Sequence, residues 1–264
     1  MPALKPAKSF AVIICAAGSS LRMGGLKKEY CPLPGTGGSV LDRAVSAFAA
    51  FPRVSRIIVT VPYTPETGEA AARRALRPDL LAGEQPKISF VTGGSTRRES
   101  VHNALAALAA YSPDYVLIHD GCRPFVSAGL IQRLMDAVQG HQAVIPLLPL
   151  TETPKEINIP LDEDLFAQAD SPAAAPTVEA APETAAMPIV TRHMRRDLTG
   201  LAQTPQAFAF AEILAAHEQA AEQERAGHEY TDDAQVWGEF CGPVAVVPGS
   251  PENRKITFPN DLEA

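Results

Sequence analysis

The stretch Phe10-Ala11-Val12-Ile13-Ile14-Cys15-Ala16-Ala17-Gly18-Ser19-Ser20-Leu21-Arg22-Met23-Gly24-Gly25-Leu26-Lys27-Lys28 decides how the chain is read. Its first part is a short apolar run, β-branched at Val12, Ile13 and Ile14, the pattern of a strand buried on both faces. Its second part is small, polar and basic. Small residues let backbone N–H groups approach a phosphate chain, and Arg22 with Lys27 or Lys28 would neutralise it. The loop is neither a Walker loop nor a GxGxxG turn. Lys5 and Lys8 ahead of the run, with Cys15-Ala16-Ala17 at its end, lend it some likeness to a secretory leader. It is too short and too β-branched for that reading, and it leads into a basic loop.

Outward from this stretch the apolar runs recur at Arg56–Val61, Ile88–Val91, Tyr115–His119 and Ala143–Leu148. Helical patterns separate them. Ser39 stands as N-cap before Val40, Leu41, Ala44, Val45 and Phe48. Thr64-Pro65-Glu66 opens a second helix, with Pro at its first position. Thr96 and Glu99 form a capping box before Val101, Ala104, Leu105 and Leu108. Ser127 caps a helix through Ile131, Leu134, Met135 and Val138, which Gly140 closes. Alternating strands and helices predict an α/β fold, a Rossmann-like, mostly parallel sheet with helices on both faces. Ligands bind such sheets beyond the carboxyl ends of the strands. The loops after Ala16, Val91 and His119 are therefore the candidate site.

The chain has 264 residues and a net charge of −7, which argues against a general nucleic-acid binder without excluding a local anion pocket. No apolar stretch approaches the length of a membrane span. Cys15, Cys31, Cys122 and Cys241 include no CxxC pair, so reduced thiols in a cytoplasmic protein are expected. One segment breaks the pattern. Asp162–Pro188 holds nine Ala, four Pro, six acidic residues and no Lys or Arg, so it cannot bury much surface and reads as a mobile insert or arm. Beyond it Phe208–Arg225 reads as a helix, Thr231 caps another, Val244–Val247 reads as a strand and Asn253–Thr257 as a polar, basic segment.

Two further stretches carry chemistry beside the first loop. Gly93-Gly94-Ser95-Thr96-Arg97-Arg98-Glu99-Ser100 puts glycines and hydroxyls at a helix N-terminus, suited to an anion or a base edge. His119-Asp120-Gly121-Cys122-Arg123-Pro124 puts an Asp at the end of a central strand, a place to hold Mg²⁺. Taken singly, each admits a plain structural reading: a solvated turn, a capped helix with exposed arginines, an Asp bonded to its own turn. His119 reads as a packed residue.

Taken jointly, AAGSSLRM (16–23) with KEY (28–30), GGSTRRESV (93–101), HDGCRP (119–124), QTPQAF (203–208), TDDA (231–234) and NRKIT (253–257) resemble the 2-C-methyl-D-erythritol 4-phosphate cytidylyltransferase family. The resemblance spans nearly the whole chain, a single nucleotidylyltransferase domain over residues 1–264. It implies transfer of CMP from CTP to the sugar-alcohol phosphate, with Mg²⁺ held through Asp120. On the matching positions Arg22 and Lys28 would stabilise the reacting α-phosphate, and Arg196 and Lys255 would position the acceptor phosphate. Arg123, Thr153 and Thr204 would complete the acceptor pocket, with Asp120 beside metal and acceptor. Ala16, Ala17 and Gly18, with Gly94, Ser95, Arg97 and Ser100, would hold cytosine and ribose. A homodimer is implied, an extended arm at about 151–194 reaching over the partner, its ends paired as strands across the dimer and its tip, 162–188, mobile.

The chain departs from the family at Ser20, where Gly is usual, at Glu29, where Gln is usual, and at Gly121-Cys122, where two alanines are usual. Lys27 rivals Lys28, the stretch from Thr153 to Arg196 is longer than usual, and the tail ends early. Two other readings remain: another sugar-phosphate nucleotidylyltransferase, or an inactive nucleotide-binding regulator. Retention of Arg22, Lys28, Arg196 and Lys255 speaks against the second.

Overall fold

The apolar run at the head of the chain forms strand β1 (Phe10–Cys15), which lies between two parallel neighbours in the main sheet. The computed structural model describes residues 8–20, 23, 26–84, 86–159 and 188–263. These divide into two units, one drawn from residues 1–148 and 202–264, the other from Pro149–Leu201.

In the larger unit β2 (Pro32–Leu33) and β3 (Gly38–Ser39) make a small hairpin. The main sheet contains β4 (Val54–Val61), β5 (Lys87–Thr92), β6 (Tyr115–Asp120) and β7 (Ala143–Pro149). In the smaller unit β8 (Lys155–Ile157) pairs antiparallel with β9 (Val190–His193), and β10 (Gly200–Ala202) follows. The main sheet is completed by β11 (Gln206–Ala209) and β12 (Ala245–Pro248). Its order is β7-β11-β6-β1-β4-β5, with β12 also on β7. Within this order the pairings among β1, β4, β5 and β6 and that of β12 with β7 are parallel, and β11 runs antiparallel to β6 and β7.

Two helical layers cover the sheet, and the two-residue period of β1 sorts them. Val12 and Ile14 face α1 (Val40–Ala49) and α5 (Ala128–His141) through Leu41, Phe48, Leu130 and Leu134. Ala11 and Ile13 face the other way, into the cluster of α4 (Arg97–Leu108), α6 (Phe210–Arg225) and α7 (Asp233–Phe240). Ile13 is fully buried, so its truncation to Ala should cost about 2–5 kcal/mol. Ser39 and Ser127 cap their helices as expected, accepting from Asp42 N at 3.0 Å and Leu130 N at 3.2 Å.

Several boundaries differ from the sequence reading. Thr64-Pro65-Glu66 does not open a helix: the hydroxyls of Thr64 and Thr67 close a turn, and α2 (Glu69–Ala75) starts after Gly68. A short α3 (Pro78–Ala82) follows, and there Pro78 does take the first helical position. Gly140 lies inside α5, which ends instead at left-handed Gln142 (φ 61°). Phe208 belongs to antiparallel β11, because its ring stacks on Trp237 in the core and its backbone pairs with Val116. The cap of α7 is Asp232, which accepts from Gln235 N at 2.9 Å, whereas Thr231 leans on the Gln235 side chain.

In the smaller unit the two ends of the expected arm pair with each other within the chain, Lys155 opposite His193 and Glu156 opposite Arg192. The tip proposed at 162–188 lies, apart from Pro188, outside the described residues.

Candidate active site

The loops following β1, β5 and β6 converge on one cavity of about 510 Å³ at the carboxyl ends of the strands. Ala16 is held by its N–H, which donates to Thr60 Oγ1 at 3.1 Å from the end of β4. Among the described residues the N–H groups of Ala17 and Gly18 have no partner, so they are open to an anion or a base edge. The β5 loop presses against them. A Cβ on Gly93 would lie 2.4 Å from the Ala17 methyl, so only glycine allows this approach.

The capping box at the start of α4 is half formed. Thr96 Oγ1 accepts from Glu99 N at 3.0 Å, but the Glu99 carboxylate turns to the Ser95 N–H at 2.6 Å and the Ser95 hydroxyl at 2.7 Å. The Ser95 hydroxyl, then its N–H, hold the Glu99 carboxyl below its ordinary range. Ser100 Oγ accepts from Gly94 N at 3.0 Å and donates to Thr96 O at 2.9 Å. These bonds rigidify a loop whose Gly94, Ser95, Arg97 and Ser100 all border the cavity. Arg97 is anchored from behind, its Nη2 donating to fully buried Asp233 at 2.7 Å. Burial would raise the Asp233 carboxyl, but Arg97 and then His217 bring it down to about 2.

Asp120 ends β6 at the cavity. Arg123 Nε and Lys255 Nζ each lie 3.2 Å from its Oδ2. Burial alone would raise its pKa, but Lys255, Arg97 and Arg123 outweigh that and hold it well below the carboxylate range. The Asp120 carboxylate in turn raises Lys255 above the ordinary lysine value. Among the described residues no hydrogen bond reaches Oδ1 of Asp120. Arg123 does not line the cavity; its Nη1 donates to Asn253 O at 2.8 Å.

Thr204 and His119 brace Asp120 from beneath. Asp120 N donates to Thr204 Oγ1 at 3.0 Å, and that hydroxyl donates to His119 Nδ1 at 3.1 Å. His119 Nε2–H then reaches Arg123 O at 3.0 Å, and burial keeps the ring neutral, which leaves Nδ1 to accept from the hydroxyl. Burial is the main reason the imidazole sits at about 4, against an ordinary 6.5. Thr204 thus supports Asp120 and does not border the cavity. The structure also brings in Thr60, at the end of β4, which the sequence reading did not single out, and it gives Asn253 of the NRKIT segment a partner: its buried Nδ2 donates to Thr204 O at 2.7 Å. A hydroxyl closing a strand at the ligand edge was the available signal for Thr60.

The two lysines line adjoining cavities that share Ala17, Gly18 and Ser19, Lys27 on one and Lys28 on the other, and differ in their partners. Lys28 borders the cavity, and among the described residues its ammonium has no partner. Lys27 is buried and committed to Gly18 O at 2.6 Å and Glu29 Oε2 at 2.8 Å. Ser20, with φ 54°, holds the left-handed backbone that glycine adopts freely. Arg22 lies outside the described residues. Thr153 and Arg196 belong to the smaller unit, where Arg196 Nη1 donates to Thr151 O at 2.8 Å.

Residues 10–162 and 161–264 match the family model of IspD, 2-C-methyl-D-erythritol 4-phosphate cytidylyltransferase. The chain belongs to this cytidylyltransferase family. It is 35% identical over 259 residues to the 2-C-methyl-D-erythritol 4-phosphate cytidylyltransferase of Acidobacterium capsulatum, covering 96% of this chain and 93% of that one. It is 33% identical to the bifunctional enzyme IspD/IspF of Mesorhizobium japonicum, covering 96% of this chain and 53% of that protein. The chain spans about half the length of the bifunctional relatives it matches. Among solved structures, the 4-diphosphocytidyl-2C-methyl-D-erythritol synthase of Anaerococcus prevotii superposes with a TM-score of 0.71 at 28% identity, over 97% of this chain and 93% of that one. The Francisella tularensis IspD gives 0.69 at 27% identity, over 97% of each chain. The mostly parallel α/β sheet is therefore the fold of the cytidylyltransferase family.

Proposed function

We propose that the chain transfers CMP from CTP to 2-C-methyl-D-erythritol 4-phosphate and releases pyrophosphate. The observation that carries this, in a chain of this family, is the cavity where the Ala17 and Gly18 N–H groups and the Lys28 ammonium, each without a partner among the described residues, meet the Asp120–Lys255 pair. The acceptor phosphate oxygen attacks the α-phosphorus, a P–O bond forms, and the bond to the β-phosphate breaks with its electron pair leaving on pyrophosphate. The acceptor phosphate is largely ionised at neutral pH, so no general base is required. That agrees with a neutral His119 whose two nitrogens are both engaged. The obstacle is one anion approaching another, so catalysis reduces to charge neutralisation and alignment.

In this reading Lys28 and Arg22 stabilise the reacting α-phosphate, and the Ala17–Gly18 backbone with Gly94 and Ser95 holds the nucleoside. Lys255 and Arg196 grip the acceptor phosphate, with Thr153 beside them. Arg123 and Thr204 set the position of the groups that touch substrate, and Arg97, anchored on Asp233, faces the nucleoside with Ser100. Mg²⁺ fits a site with one carboxylate face unengaged, Asp120 Oδ1, because this ion takes few protein ligands and several phosphate oxygens. Among the described residues no group of three His, Cys, Asp or Glu side chains gathers to hold a metal by itself. When bound, Mg²⁺ supplies charge neutralisation on the triphosphate. The arm, with Thr153 and Arg196, serves the other subunit of a homodimer. No helix among the described residues is long and apolar enough to cross a membrane, and the location we propose is cytoplasmic.

Pyrophosphate release tests the reading. With methylerythritol phosphate and Mg²⁺, CTP should support turnover, while UTP, ATP and GTP should not. Turnover preferring another nucleotide, or none with CTP, would refute it.

A further inference from the structure

The pair formed by Lys27 and Glu29 is almost sealed from solvent, with side chains 6% and 4% exposed, yet it sits at the neck of the glycine loop. Lys27 Nζ reaches back nine positions to the Gly18 carbonyl at 2.6 Å and forward to Glu29 Oε2 at 2.8 Å. A buried ammonium is costly unless its hydrogens find acceptors, and here two are supplied. Glu29 Oε2 also takes the Ser20 hydroxyl at 3.4 Å, on the residue held at φ 54°. A residue with a Cβ enters that region only when its surroundings fix it there. Lys28 stands between the two anchored side chains, in a short 3₁₀ turn closed by Cys31 N to Lys28 O at 3.2 Å. Its own ammonium is unpaired among the described residues and borders the cavity with Lys255 and Asp120.

We infer that Lys27 and Glu29 form a clasp that fixes the neck of the glycine loop and so aims Lys28 into the cavity. Both are positioning residues. For Lys27 to meet a phosphate it would have to leave both acceptors and expose a buried carboxylate. The inference rests on reading the cavity as the nucleotide site. A lysine held by its two neighbours in sequence has its Cα fixed on both sides. Without the clasp the loop ends separate, and a displacement of about 1 Å at a group that stabilises charge costs about 10²-fold in rate.

The test uses the full chain with Glu29→Leu, Lys27→Met and the double variant. Hydrogen–deuterium exchange of peptides covering 18–30 should quicken in each variant, while those of β4 and α4 stay as in the wild type. In CTP turnover kcat should fall about 10²-fold with KM for CTP within about threefold. The double variant should be no worse than the poorer single one, since one interaction is lost once. Should a single variant fail to fold, the double one, apolar at both positions, carries the test. Unchanged exchange, or kcat within about threefold of wild type in the double variant, overturns the inference. A wild type that does not turn over CTP refutes the proposed function instead, and the exchange readout then decides the clasp alone.

Discussion

Replacing Asp120 by Asn removes the one negative charge that two cations share while keeping the shape of the side chain. Arg123 Nε and Lys255 Nζ both lie 3.2 Å from Oδ2. The Arg123 pair is nearly buried, 12% exposed on either side, whereas the Lys255 side chain is 44% exposed. A charge-assisted bond in the first setting contributes about 2 kcal/mol. The half-exposed pair adds less than about 1 kcal/mol, because water screens it. The cavity admits counter-ions to the freed cations, so the loss stays near about 2–3 kcal/mol, below the range for a sealed pair. At about 2–4 °C per kcal/mol in a chain of this size, the melting midpoint should fall about 5–10 °C. Pyrophosphate supplies the missing negative charge, so it should stabilise Asp120→Asn more than wild type. Thermal melts by circular dichroism near neutral pH and low salt, with and without pyrophosphate, measure both effects. A variant melting within about 1 °C of wild type, or an equal gain from pyrophosphate, would show that Asp120 does not compensate these cations. In the proposed reaction turnover should fall as well, because Asp120 is the carboxylate proposed to hold Mg²⁺.

Three other outcomes are expected. Because burial holds the His119 imidazole at about 4, below its ordinary 6.5, the unfolded chain takes up that proton first. The stability this residue contributes is complete above about pH 6.5 and declines as pH falls toward about 4, by up to roughly 3 kcal/mol, and urea melts of His119→Gln should show a flatter slope than wild type across that window. The carboxylates of Asp120 and Asp233, both lowered, act in a separate window below about pH 4. Lys28→Ala should lower kcat about 10²–10³-fold with CTP binding by calorimetry little changed; a loss under about threefold would remove Lys28 from the reaction. Mixing an Arg22→Ala subunit with a Thr153→Ala/Arg196→Ala subunit should restore activity in heterodimers, up to one intact site each, and heterodimers without recovery would refute an arm acting in trans.

The sheet and the loops of the site were legible because they rest on local patterns. Continuous apolar runs marked β1 and β4 to β7, and Ser39 and Ser127 announced their helices. The antiparallel β11 was hidden because Gln206–Ala209 is short and runs straight into the apolar face of α6, whose N-cap, Ala209, offers no side-chain acceptor. The false helix at Thr64 arose because hydroxyls and Pro suit a turn as well as a cap. Inside the site, residue types were legible and partners were not. Nothing in the spacing says that Lys27 turns back to Gly18, that Asn253 fastens Thr204, or that Arg123 reaches the Asn253 carbonyl 130 positions away. Such pairings arise only when the sheet brings distant loops together.

The most direct measurement follows the acceptor oxygen. Methylerythritol phosphate labelled with ¹⁸O throughout its phosphate is incubated with CTP, Mg²⁺ and the full chain, and both products are weighed by mass spectrometry. Attack by the acceptor phosphate on the α-phosphorus predicts that all the label stays in the cytidine diphosphate adduct and that pyrophosphate carries none. Label in pyrophosphate, or CMP released without the adduct, would contradict it.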